Sequence, residues 1–130
     1  MKTIIAALAL AVLPMPVHAS NWVEMETDDN GRIAYIDVDS LKGSFSGTRS
    51  GWIKHDHSKQ RDVAERSTMM KVSISCPANT FRVDYVVKYD AKGEVIGSHT
   101  TPTYEPFSEI IPDSVGETLA QIFCYDPGKV

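Results

Sequence analysis

The chain lacks the signatures of cofactor chemistry. It contains no glycine-rich phosphate loop, no dinucleotide fingerprint and no CxxC pair, so nucleotide-dependent and zinc-cluster functions have no basis in it. Basic residues are in deficit, with 13 Lys and Arg against 17 Asp and Glu, which argues against a general nucleic-acid binder. No apolar run approaches the roughly 18 residues needed to cross a bilayer as a helix. Internal repeats, low-complexity tracts and blocks of like charge are also missing. A chain of 130 residues, 42% hydrophobic and 23% charged, is one globular domain by size and too apolar to be disordered.

What is present begins with a leader. Lys2 supplies a short positive region, and Ile4 to Leu13 is an unbroken apolar run. Pro14 and Pro16 follow, and Val17-His18-Ala19 offers small or modest residues before Ser20. This pattern predicts a signal peptide over 1–19, cut between Ala19 and Ser20. The domain is then 20–130, exported to the periplasm or secreted. No cysteine stands at the cut, so no lipid anchor is expected. Both cysteines, Cys76 and Cys124, lie in the mature part, and an even count in an exported chain reads as one disulfide. A redox or metal pair is the alternative.

Patterning predicts an α+β fold, a single antiparallel sheet of about six strands with a C-terminal helix. Strands are expected at Trp22–Thr27, Arg32–Val38, Arg49–His57, Ser67–Cys76, Thr80–Asp90 and Glu94–Thr100, from period-two alternation between turn signals. Asn30-Gly31 and Asp90-Ala91-Lys92-Gly93 mark hairpins. Gly43 to Gly47 reads as a flexible loop, and Ser58 to Glu65 as a polar, irregular one. In the fifth strand Phe81, Val83, Tyr85, Val87 and Tyr89 alternate with Arg82, Asp84, Val86 and Lys88. Ser114 and Glu117 form a capping box for a helix carrying Val115, Leu119, Ile122 and Phe123. A bond from Cys76 to Cys124 would pin that helix to the sheet.

Candidate chemistry is sparse. His55-Asp56-His57 places two imidazoles on one side of a strand, where they could share a divalent metal with His99 or a carboxylate. The competing reading is two polar residues at a fraying strand end. Gly43-Ser44-Phe45-Ser46-Gly47 has Phe45 where a nucleophile elbow requires serine. Asp28/Asp29 and Asp37/Asp39 sit at turns, where Asp serves the backbone. Met25, Met69 and Met70 read as core filler rather than a copper site. Trp22, Trp52, Tyr85, Tyr89 and Tyr104 read as core packing in preference to a binding face.

The order of these features carries a resemblance. A leader runs into a Trp22 strand; Tyr35-Ile36-Asp37 follows a Gly turn; Trp52 lies in the third strand and Cys76 closes the fourth. Gly93-Glu94-Val95-Ile96-Gly97-Ser98 makes the last hairpin, and Ile111-Pro112-Asp113-Ser114 leads a helix ending at Cys124. From Trp22 to Cys124 the chain resembles the surface-adhesin protein E family of small exported bacterial proteins. The resemblance implies a six-stranded antiparallel sheet with a C-terminal helix, a Cys76–Cys124 bond, and a non-enzymatic module without cofactor. It also implies a protein partner, a host matrix protein such as vitronectin or laminin, or else a periplasmic protein. An open sheet edge could accept such a partner or a second copy of the chain. Two other readings accompany it: a periplasmic metal binder using His55 and His57, and a periplasmic inhibitor of a cell-wall hydrolase.

Overall fold

A computed structural model describes residues 20–60 and 62–129. The leader expected over 1–19 lies outside the described residues. Six strands form an open antiparallel sheet: β1 (Trp22–Thr27), β2 (Ile33–Asp37), β4 (Thr48–Asp56), β5 (Ser67–Ser75), β6 (Thr80–Tyr89) and β7 (Val95–Thr100). They neighbour one another in that order. Two strands of two residues each join them, β3 (Lys42–Gly43) on β4 and β8 (Ser108–Glu109) on β6. One helix, α1 (Val115–Phe123), follows. The six long strands and the helix stand where the alternation and the capping box put them.

Two hairpins are built alike. In each, an aspartate opens the turn and a glycine at positive φ closes it, Gly31 at 81° and Gly93 at 77°. Asp28 Oδ1 accepts from the N–H groups of Asn30 and Arg32. Asp90 Oδ1 accepts from those of Lys92 and Glu94. The carboxylate thus organises the turn, and glycine takes the left-handed position that other residues adopt only with strain. The segment 43–47, expected as a flexible loop, is also a hairpin turn. Ser44 N donates to Thr48 O and Gly47 N to Ser44 O. A Cβ at Gly43 would stand 2.3 Å from Thr48 O, so glycine is what lets β3 lie against β4.

The core is the space between one sheet face and α1. Ile36, Ile53, Val72 and Ile74 meet Ile110, Leu119 and Phe123 there, all buried. The helix approaches closely at Gly51, where a Cβ would come 2.6 Å from Leu41 Cδ2 and 3.2 Å from Phe123 Cζ. Ser114 caps α1 by accepting from Glu117 N, and the Glu117 carboxylate returns to Asp113 N. At the other end Arg49 Nε donates to Phe123 O at 2.7 Å, while its guanidinium lies 4.1 Å from the Phe45 ring centre. A cation on the last carbonyls is favourable at a helix C-terminus. The Cys76–Cys124 disulfide ties the end of the helix to the end of β5.

The expected alternation along β6 is interrupted. Lys71 faces Tyr85 but Val72 faces Val83, so an extra residue, Asp84, bulges from β6. Upstream of the bulge Phe81 and Val83 share the helix side with Ile74 and Val72. Downstream the phase reverses, and Tyr85, Val87 and Tyr89 fall on the opposite face. Side chains hold the bulge: Asp84 accepts from Arg82 Nε at 2.7 Å and from the Ser73 hydroxyl.

Candidate functional site

Phase and pairing together determine what the second sheet face displays. Across the strands, Trp52, Lys71 and Tyr85 form one row, and Tyr35, Lys54, Met69 and Val87 the next. Trp22 enters the first row from β1 through its pairing with Asp37. No helix packs over this face among the described residues, because α1 lies on the other. Trp22, Tyr35, Trp52 and Tyr85 are all half-buried, as are Lys54 and Lys71. The sequence expectation that Trp22, Trp52 and Tyr85 fill the core is therefore corrected. They line an open surface, and aliphatic residues with Phe123 fill the core. Tyr104, also expected inside, is 83% exposed.

The arrangement is ordered. Trp52 and Tyr85 meet edge to face with ring centres 6.2 Å apart. Lys54 Nζ stands 4.9 Å from the Trp22 ring centre and 5.0 Å from that of Tyr35, within cation–π range of both. The ion pairs among the described residues are Arg32–Asp28 and Arg82–Asp84, so neither lysine of this face is matched to a carboxylate. At one corner Arg82 donates to the carbonyls of Thr103 and Glu105 and covers Phe107, which anchors the segment between β7 and β8. Trp and Tyr side chains, with few rotamers and large area, are among the residues that dominate binding energy at protein interfaces, and the lysines set the charge of the face.

The two edges differ. β1 carries Glu24 and Glu26 and a register irregularity between them, features that discourage strand addition. β7 has its own irregularity, at Ile96, but neither proline nor an acidic or lysine residue, and Val95 and Ile96 are 58% and 47% exposed.

The histidine motif lies at the end of β4, with the two imidazoles side by side. His55 lies in β4, but His57 is one residue beyond its end. Their rings stand 6.0 Å apart at nearly a right angle. His57 is buried, with Nδ1 bonded to Gln60 Oε1 at 2.7 Å and Nε2 to Thr68 Oγ1 at 3.0 Å. A metal on His57 would have to displace one of those bonds. His99 sits on β7, three strands from β4, or about 14 Å away at ordinary strand spacing. Among the described residues no group of three His, Cys, Asp or Glu side chains is placed to hold an ion. Burial, then the charge of Arg32, then His57 lower the pKa of His55 to about 4, so it is neutral at pH 7.

The carboxylate pairs serve the backbone. Asp37 Oδ1 accepts from Asn21 N and Asp39 N and so caps the 3₁₀ turn at Val38–Ser40. Of the methionines, Met25 and Met70 pack on the core and Met69 lies on the open face. The family model described as surface-adhesin protein E matches residues 22–125. No curated protein matches.

Proposed function

The chain belongs to the surface-adhesin protein E family, and from that premise we propose that it is an exported, non-enzymatic module that binds a protein partner through its open sheet face. The observation that carries this reading is the cluster of Trp22, Tyr35, Trp52 and Tyr85 around Lys54 and Lys71 on a face that α1 leaves uncovered. A sheet needs only one buried face to be stable. Four large rings on the other face suit recognition better than solvation. The partner proposed is an extracellular-matrix protein of a host, such as vitronectin or laminin. The β7 edge, free of proline and of charged residues, offers a neighbouring place for an extended segment to pair beyond its irregularity at Ile96.

The test is binding of the purified protein to immobilised vitronectin and laminin, coupled to protease treatment of intact expressing cells. Saturable binding that Trp52→Ala weakens about tenfold or more, with digestion on intact cells, supports the reading. Protection from protease together with no binding to either protein overturns it.

A further inference from the structure

Beneath the first half of α1 is a cavity of about 390 Å³ on the face opposite the aromatic one. Its floor is Met70, Val72, Phe81 and Val83, and its roof is Val115 and Leu119. Ile111, 70% exposed, stands at the rim. His55 and Ser114 are the polar side chains of the lining. The Ser114 hydroxyl already donates to Ile111 O and accepts from Glu117 N. His55 is uncharged at neutral pH. An ordered water needs two to four polar partners, and this wall supplies too few for a filling of water. At about 30 Å³ for each water-sized group, the volume fits a chain of about a dozen methylenes.

Charge differs between the two ends of the cavity. At the helix end Glu26, Asp113 and Glu117 share a hollow with Ser114 and Val115. On the sheet side Met70 pairs with Val86, and the row His55, Thr68, Lys88 runs across the same face from the cavity wall to Lys88. Lys88 is exposed and outside both ion pairs of the described residues. Carboxylates at one end and a cation at the other direct a negative group toward Lys88.

We propose that this cavity is a binding site for a medium-chain fatty acid, with its alkyl chain under α1 and its carboxylate at Lys88. The site lies on the face opposite the proposed protein-binding surface and does not depend on that reading.

The test is calorimetric titration of the purified protein with octanoate, decanoate, dodecanoate and hexadecanoate, each below its micelle concentration. One acid per chain should bind. Affinity should rise about fourfold for each added methylene and level off near dodecanoate, when the cavity is full. Lys88→Glu should weaken dodecanoate about fivefold or more and leave dodecanol unchanged. Val115→Trp should abolish binding by filling the cavity from the roof; Val83→Phe, filling it from the floor, serves if the first variant does not fold. Four results would overturn the proposal: no saturable binding of dodecanoate, affinity still climbing at hexadecanoate, undiminished binding by a folded filled variant, or dodecyltrimethylammonium binding as tightly as dodecanoate.

Discussion

His55 connects a local environment to a measurable property of the whole chain. Unfolded, it titrates near 6.5; in the folded protein burial holds it at about 4. Between those values the unfolded chain binds a proton that the folded one does not. Its contribution to stability is therefore complete above pH 6.5 and is lost as the pH falls toward 4. Asp28 and Asp56 act lower. Each carboxyl titrates below its ordinary 3.8, chiefly because it accepts a backbone N–H, from Arg32 and Ser58 respectively. Their contributions are present above 3.8 and disappear on further acidification. Melting temperatures measured from pH 7 to pH 4 should fall in the wild type and fall less in His55→Leu; parallel curves would contradict the assignment. Gly51 makes a steric counterpart. With Leu41 Cδ2 2.6 Å from where its Cβ would stand, Gly51→Val should cost about 1–3 kcal/mol in urea unfolding. Nothing local in the sequence announces that requirement, because both neighbours that impose it, Leu41 and Phe123, arrive from elsewhere in the chain.

At the scale of elements, legibility followed how local the determining signal was. Period-two alternation, Asp-x-x-Gly turns and the Ser114–Glu117 box each act within a few residues, and the strands and helix they mark are where they should be. The two-residue strands β3 and β8 carry no periodicity and depend wholly on the strands they join. The bulge at Asp84 is set by a cross-strand arrangement with Ser73 and by the adjacent Arg82. A reading of β6 alone cannot find it, and missing it placed Tyr85 on the wrong face. The disulfide was legible from an even cysteine count in a chain whose sequence predicts export. Its 48-position loop corresponds to about 4 kcal/mol in the chain-entropy account. Replacing both cysteines, Cys76→Ser with Cys124→Ser, should lower unfolding free energy by up to about that amount. A loss under 1 kcal/mol would show that α1 is held chiefly by Leu119 and Phe123.

For the whole molecule, the sheet has a division of labour between its faces. One builds the core with α1. The other keeps Trp22, Tyr35, Trp52 and Tyr85 at the surface around Lys54 and Lys71. The site was less legible than the fold, because hydrophobic alternation says that two faces differ without saying which one the helix covers. Aromatic residues satisfy either role, and the helix position decided between them. The central claim is that the open face does the binding, and charge reversal at its centre tests it most directly. Binding to immobilised vitronectin and laminin should be measured for the wild type, for Lys54→Glu, and for Lys92→Glu, an equal charge change at an exposed hairpin tip. Lys54→Glu should weaken binding about tenfold or more at unchanged melting temperature, with Lys92→Glu close to wild type. Equal effects of the two substitutions, or full binding by Lys54→Glu, would contradict the assignment of this face.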